Sequence, residues 1–291
     1  MTIAPAPFMW PPRPLIEPAT HTEHAIPPAS VRTQSVDAPR GAERAWIAIE
    51  RTWLAPVREP LHRRIRESEW MPDELRAFCD RCAHTIGPHE RHEFGCGACT
   101  ARRMRWARIV RVGSFEGDLR EWVLEAKFQA AHATALALGR LLGRRLRAAG
   151  AEGLRGAAVV PVPVDPVRRF LRGIDHTAWI ARGVGRELGI PVRRLLRARR
   201  GPSQRSVAPS AREANVRGRF VRRRGASRTA GPVIVIDDVL TTGATMRAAV
   251  RALGRASEEV WCGVVAVTPE PGEPHGRESQ FRIAPVGDGC G

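Results

Sequence analysis

Two adjacent carboxylates followed by a threonine-rich turn are the residues of this sequence best suited to chemistry. Asp237 and Asp238 directly follow an apolar, mostly β-branched run at Val233–Ile236, which predicts a short buried strand. Ligands of open α/β sheets bind at the carboxyl ends of strands, where these carboxylates could accept hydrogen bonds from sugar hydroxyls. The turn offers backbone N–H groups, hydroxyls and the start of a helix predicted near Met246, all suited to a phosphate. Its residues are Thr241, Thr242, Gly243, Ala244 and Thr245. The stretch therefore predicts a site for a ribose 5-phosphate.

An acidic turn after a buried strand is also typical of the Walker B strand of an ATPase. That interpretation requires an upstream G-x-x-x-x-G-K-[ST] loop, whose lysine reaches the phosphates. The only lysine of the chain, Lys127, follows Ala126 and lies in no such loop. The sequence therefore favours a sugar phosphate over ATP.

Lys127 is a candidate ligand for a second phosphate group. It lies near the end of a helix that we expect Asp118 to cap, with Leu119, Trp122 and Ala126 on its apolar stripe. A cation at that end is favoured by the helix dipole, which is the simpler explanation. Arginine would serve that role equally well, yet this is the single lysine among 47 basic residues. We therefore favour a contact between Lys127 and phosphate or pyrophosphate.

The loop after the strand predicted at 157–164 contains Arg172 and Gly173. Arg172 brings positive charge and Gly173 lets the backbone approach a ligand closely, as a cradle for pyrophosphate requires. A solvated basic loop is the alternative. The position of the loop relative to Asp237 and Asp238 favours the cradle.

Four cysteines have the spacing of a metal site. Cys79 and Cys82 form one C-x2-C pair, and Cys96 and Cys99 form a second pair after thirteen residues. Two such knuckles supply the four thiolates of a tetrahedral structural zinc site. Two disulfides are the alternative, which a cytoplasmic protein disfavours, and the histidines between the pairs are alternative ligands. We predict structural zinc on the four cysteines.

The remaining elements follow from hydrophobic periodicity. We predict further core strands at 190–196 and 259–268, and helices at 130–149 and 177–188. The polar, arginine-rich stretch 197–224 is long for a loop inside a compact domain, which is typical of a lid that closes over a site.

Charge and composition bear on partners and location. A net charge of +17 suggests contact with nucleic acid, but the near-absence of lysine also fits a codon bias towards arginine. The sequence has no apolar run long enough to span a membrane and no secretory signal, so we expect a cytoplasmic protein.

Four stretches in this order resemble the ComF family, a zinc ribbon fused to a type I phosphoribosyltransferase domain. They are the double C-x-x-C, the L-x-x-x-K-F ending at Phe128, the P-V-P strand with its R-G loop, and V-I-V-I-D-D-V-L-T-T-G-A-T. A Q…R-E-x-N-V…F pattern fits the family too and places Gln204, Arg212 and Asn215 in the lid. The family commonly has R-G-[FY]-N-Q, whereas this chain ends that motif in His176, which could donate to a phosphate.

The resemblance implies an α/β fold with a parallel sheet flanked by helices, preceded by a small zinc ribbon. It also implies transfer of a phosphoribosyl group from phosphoribosyl pyrophosphate, with magnesium on the pyrophosphate, to a nitrogenous acceptor. The family is associated with competence, so the alternatives are a non-catalytic factor that binds single-stranded DNA, a nucleotide or a helicase, and a sensor of the donor.

The resemblance and the composition together predict five segments. We expect a disordered or loosely attached tail at 1–44, a helical lead-in at 45–74 and the zinc ribbon at 75–104. The phosphoribosyltransferase-like domain follows at 105–268 and a flexible tail at 269–291.

Overall fold

The computed structural model describes residues 59–87, 90, 95–97, 99, 104–129, 131–165, 173–199, 218–224, 229, 231–255 and 259–269. Within them the helices are α1 (Leu61–Glu67), α2 (Gly117–Phe128), α3 (His132–Ala148), α4 (His176–Leu188) and α5 (Ala244–Leu253). The strands are β1 (Arg108–Ser114), β2 (Ala158–Pro161), β3 (Leu196–Ala198), β4 (Phe220–Arg222), β5 (Val233–Leu240) and β6 (Val260–Val267). None of the helices in these ranges is long and apolar enough to cross a membrane.

The core is a four-stranded sheet in the order β1-β6-β5-β2, and every neighbouring pair is parallel. Strand β5 is buried along its first half and has neighbours on both sides, which explains its run of β-branched residues. Because all four strands point the same way, the carboxyl ends of β5 and β2 lie at one edge of the sheet. The predicted α/β class, with a parallel sheet flanked by helices, is confirmed.

Helices cover both faces of this sheet. On one face Ile234 and Ile236 pack in a cluster with residues of α2, α3 and α4. On the other face Val233 and Val235 pack with residues of α5 and of the short strands β3 and β4. The alternation along β5 is the period of two that a strand imposes on its side chains.

Helix α4 is held against α3 by a close backbone contact. A Cβ on Gly139 would lie 2.0 Å from the carbonyl oxygen of Ile180, and one on Gly183 would lie 2.3 Å from that of Leu136. Only glycine fits such a crossing. The contact fixes α4, whose first residue is the functional candidate His176.

One predicted core strand is wrong. Residues 190–196 form no core strand, because Val192 makes only an isolated parallel bridge to Val159. Pro191 has no N–H to donate to a ladder, and Arg193 and Arg194 are exposed. The chain instead forms β3, which pairs antiparallel with β4 in a separate ribbon.

Strand β1 was not predicted, because two arginines interrupt the apolar residues of its sequence R-I-V-R-V-G-S. The predicted cap of α2 is also wrong, since Glu116 holds the N-cap position and Asp118 lies in the first turn. The other predicted helices and strands are confirmed, with ends shifted by a few residues.

Several predictions concern residues outside the described ranges. These are the tail at 1–44, most of the lead-in, the C-terminal tail after 269, Arg172, and the lid residues Gln204, Arg212 and Asn215.

Candidate functional site

The threonine-rich turn joins β5 directly to the N-terminus of α5. Helix α5 begins at Ala244, two residues before the predicted start, and Gly243 precedes it with a left-handed φ of 71°. The guanidinium of Arg247 donates to the carbonyl oxygen of Thr242 at 2.9 Å, which braces the turn from the first turn of the helix. Thr241 and Thr242 are exposed. The N–H of Ala244 donates to Oγ1 of Thr242 at 3.4 Å. The turn therefore presents exposed hydroxyls at a helix N-terminus, which suits a phosphate.

Asp238 is a buried carboxylate whose two oxygens are both engaged. Its side chain is 11% exposed. Oδ2 lies 2.5 Å from Nε2 of His176 and 3.3 Å from Nζ of Lys127, and Oδ1 accepts a hydrogen bond from the backbone N–H of Val239 at 2.6 Å. Burial alone would raise the pKa of Asp238, but the His176 hydrogen bond and the Lys127 charge lower it to about 2. Asp238 therefore ties β5 to α2 and α4.

Asp237 is the more available of the two carboxyls. The residue is partly exposed, and its Oδ1 accepts a hydrogen bond from the backbone N–H of Asp238 at 3.0 Å. Burial is the main cause that raises the pKa of Asp237, to about 8, and the negative charge of Asp238 adds to it. Adjacent residues thus hold a carboxyl that favours a proton and a carboxylate that does not.

Lys127 stands in the last turn of α2, as predicted. Its ammonium contacts Asp238 and lies 5.7 Å from the ring centroid of Phe115. The structure thus assigns it a carboxylate partner, and its predicted contact with pyrophosphate stays a prediction.

His176 has a role that sequence reasoning missed. It is the first residue of α4, is 2% exposed, and directs Nε2 at Asp238. Its Nδ1 is buried and has no hydrogen-bond partner among the residues that the structure describes. The Nε2 atom of this residue is thus engaged by a carboxylate, and its predicted donation to a phosphate stays a prediction. A histidine before a predicted helix gave no signal that it would meet a carboxylate 62 positions away.

Gly173 lies in the loop that precedes α4, at the carboxyl end of β2. Its φ is 68° and it is exposed, so its backbone is open to a ligand. Asp175 caps α4 by accepting a hydrogen bond from the N–H of Ala178 at 3.2 Å. The described part of the predicted pyrophosphate loop therefore lies at the same edge of the sheet as Asp237.

The four predicted metal ligands converge. Their sulfurs all lie within 4.8 Å of one another, with 3.7 Å between Cys79 and Cys99 and 3.4 Å between Cys82 and Cys96. A tetrahedral zinc site with Zn–S bonds near 2.3 Å places its sulfurs about 3.8 Å apart. All four are buried and none forms a disulfide. The donor set and its spacing fit a tetrahedral metal ion, and the disulfide alternative is not what the structure shows.

The first cysteine knuckle is anchored to the edge of the sheet. Arg111 of β1, 2% exposed, donates to the carbonyl oxygen of Ala83 at 2.7 Å and to Oγ1 of Thr85 at 2.9 Å, and it pairs with Asp73 at 2.7 Å. The indole N–H of Trp106 donates to the carbonyl oxygen of Arg81 at 2.8 Å. The knuckle is therefore built into the wall of the domain.

The chain was also compared with known proteins. No protein-family model matches it. It is 27% identical over 198 residues to the DNA utilization protein YhgH of Salmonella typhimurium, a match covering 64% of this chain and 83% of that protein. The protein of the same name from Escherichia coli K12 is 27% identical over 199 residues, with the same coverage.

Among solved structures, the chain resembles the allosteric regulatory enzyme of purine biosynthesis, at 22% identity and a TM-score of 0.33. It also resembles glutamine phosphoribosylpyrophosphate amidotransferase from B. subtilis complexed with ADP and GMP, at 21% identity and the same TM-score. Each match covers 49% of this chain and 30% of the longer one. Likenesses at this score carry no argument about activity.

Proposed function

We propose that this chain is a ComF-like protein that binds phosphoribosyl pyrophosphate at the carboxyl end of β5 and transfers its phosphoribosyl group to a nitrogenous acceptor. The observation that carries the proposal is the direct succession of Asp237, Asp238 and the threonine-rich turn, which ends at the N-terminus of α5. Within a few residues it combines carboxyl acceptors for sugar hydroxyls with N–H donors for a phosphate.

The carboxyl groups of Asp237 and Asp238 have different roles in this proposal. Asp237 is partly exposed, so it takes the ribose hydroxyls. Asp238 has both oxygens engaged by the protein and acts as a positioning residue, since it fixes the end of β5 through His176 and Lys127. The residues 241–245 hold the 5-phosphate.

The pyrophosphate half of the site belongs to the loop before α4. The exposed backbone of Gly173 and the charge of Arg172 receive the leaving group, with Lys127 behind Asp238 adding positive charge. Magnesium arrives with the donor and neutralises its pyrophosphate. In the transfer the C1–O bond breaks with its electron pair leaving on pyrophosphate, an acceptor nitrogen bonds to C1, and the nitrogen's proton passes to water. The protein positions the reactants and stabilises the departing charge.

We assign zinc to the four cysteines as a structural ion. The support is the buried, four-sulfur donor set, which is closed and leaves no position for a substrate. The ion would hold the knuckles together where β1 is anchored.

Isothermal titration with phosphoribosyl pyrophosphate and magnesium tests the proposal. We expect saturable binding by the wild-type chain and pyrophosphate release when the acceptor is added from a panel of bases and nucleotides. Binding without release across that panel would favour a donor sensor. Absence of binding would refute the phosphoribosyl site.

A second candidate function is a competence factor that binds single-stranded DNA and a helicase. It is favoured by the name of the two relatives, DNA utilization protein, and by the net charge of +17. Fluorescence anisotropy with a labelled single strand should show affinity that falls steeply with salt. Binding no tighter than to a neutral polymer would exclude DNA.

A further inference from the structure

A cleft borders the pyrophosphate half of the candidate site, and apart from Gly173 its lining has no role in the function proposed above. Its volume is about 610 Å³, within the range of small-ligand sites. One wall is the carboxyl end of β2 with Gly173 and Asp175, and the other is the ribbon of β3 and β4. Because β2 is the neighbour of β5, the cleft lies one strand away from Asp237.

The cleft is lined by apolar surface and by positive charge. Its apolar lining consists of Pro161, Val162, Pro163, Val164, Leu196 and Ala198. Its charged lining consists of Asp175 and three arginines, Arg194, Arg197 and Arg223. Such a combination suits a ligand with a flat apolar body and an anionic group.

The segments that form and flank the ribbon are rich in arginine and contain no acidic residue of their own. Residues 189–199 and 218–224 hold four arginines each and no Asp or Glu. Elsewhere Arg111, Arg147 and Arg255 each pair with a nearby Asp or Glu. Codon bias alone would place arginines in both settings, so the absence of acidic residues from these two segments is the informative feature.

Two of the three cleft arginines are uncompensated. Arg194 lies 3.5 Å from the carboxylate of Asp175, which also caps α4. Arg197 and Arg223 are exposed and have no ion-pair partner among the residues that the structure describes. They supply two guanidinium groups, which match the oxygens of a phosphate.

The ribbon that carries these arginines is firmly held. Arg197 is paired with Val221 in the ladder, and the N–H of Arg223 donates to the carbonyl oxygen of Leu195 at 2.8 Å. Leu196 and Phe220 of the ribbon are buried in one cluster with α5. The cleft therefore keeps a fixed position relative to the helix that begins at the threonine-rich turn.

The cleft is open to the ribose end of the site from one side. It is lined by the carboxyl end of β2, and β2 is the neighbour of β5 in the sheet. A ligand in the cleft would therefore approach the reacting sugar from the side of β2.

We propose that this cleft binds a nucleoside 5′-phosphate, with its base on the apolar lining and its phosphate on Arg197 and Arg223. The ligand is either a free nucleotide or the 5′-phosphorylated end of a strand, which share this chemistry. The assignment of this nucleotide as the acceptor rests on the proposed phosphoribosyl transfer. The binding of the nucleotide to the cleft does not depend on that transfer.

Calorimetric titration of the full chain tests the proposal, with adenosine 5′-monophosphate, adenosine and inorganic phosphate as probes. The variant is Arg197→Ala/Arg223→Ala. The matched control is Arg193→Ala/Arg199→Ala, which removes the same charge from exposed arginines of the same segment outside the cleft. We expect the monophosphate to bind more tightly than either fragment, and its affinity to fall about ten-fold or more in the variant but not in the control.

Three results would overturn the proposal. They are equal binding of adenosine and its monophosphate, an equal loss in the control, and displacement of the monophosphate by ribose 5-phosphate, which would place it on the threonine-rich turn. A parallel loss of phosphoribosyl pyrophosphate binding in the variant would also overturn it, since the cleft would then belong to the donor.

Further titrations distinguish a free nucleotide from a strand end, and the cleft proposal from the proposed function. A short oligodeoxyadenylate that binds only with a 5′-phosphate identifies a strand end, and failure of both oligonucleotides identifies the free nucleotide. Oligonucleotide affinity that changes neither on removal of the 5′-phosphate nor in the Arg197→Ala/Arg223→Ala variant would contradict the cleft as the binding site. If the wild-type chain binds the monophosphate but not phosphoribosyl pyrophosphate, only the proposed function is refuted. If it binds phosphoribosyl pyrophosphate but not the monophosphate, only the nucleotide assignment of the cleft is refuted.

Discussion

The cysteine cluster and the end of β5 are both built from buried polar side chains, but they are assembled over different distances along the chain. The four cysteines lie within residues 79–99, and each pair is one tight turn. Asp238 instead meets Lys127 from α2 and His176 from α4, which are remote in sequence. A site built from residues that are close together in the chain can be recognised in the sequence. The partners in a site built from residues far apart in the chain cannot.

The two regions also differ in what would complete them. The cysteine cluster is a closed set of donors that fits one ion, so its chemistry is structural. At the end of β5 one carboxyl is satisfied by the protein and its neighbour is partly exposed. Only the second region therefore presents groups to a substrate.

The largest expected effect is on the cysteine cluster. Cys79→Ser should lose about one equivalent of zinc and lower the melting temperature, because a structural site requires all its ligands and its metal affinity contributes to folding. Metal analysis and thermal melting measure both. Cys262→Ala, a buried cysteine of β6 outside the cluster, should keep its metal. Equal metal content in the two variants would contradict the site.

Asp238→Asn should destabilise the fold by about 3 kcal/mol, because it leaves the charge of Lys127 mostly buried without a carboxylate. Urea unfolding measures the loss. The adjacent Asp237→Asn is the matched control and should not destabilise the fold. Equal losses would show that the two carboxyls do not differ in role.

Arg111→Met tests how far the two regions depend on each other. It removes the bonds that anchor the first knuckle to β1 and leaves Asp73 without its partner, so we expect a loss of about 2 kcal/mol. The cysteines themselves are untouched, so metal content should stay unchanged. Loss of the metal along with stability would mean that the cluster cannot hold its geometry alone.

The smallest effect is a dependence on pH. The pKa of Asp237 in the fold, about 8, lies above its ordinary value of 3.8, so the folded state binds more protons between these values. Stability should therefore fall as pH rises through this window, and Asp237→Asn should remove that part of the fall. We expect the variant to be more stable than wild type at pH 7 and equal to it near pH 4. Chemical unfolding across this range checks the sign, and parallel curves would contradict the raised pKa.

The sequence predicts those elements of the molecule that are determined by residues close together in the chain. The apolar run of β5, the turn that starts α5, the stripe of α2 and the cysteine pairs are each contained in a short window. Strand β1 was missed because Arg111 is buried only by virtue of partners in the first knuckle. The contact of His176 with Asp238 was missed because only the packing of α4 on the sheet creates it.

The most direct test of the account is a titration of phosphoribosyl pyrophosphate and magnesium into Asp237→Asn, with folding checked by circular dichroism. The account predicts a folded variant that binds the donor at least about ten-fold more weakly than wild type, because a carboxyl facing the ribose is lost. Wild-type affinity in a folded Asp237→Asn variant would contradict the placement of the sugar at the end of β5.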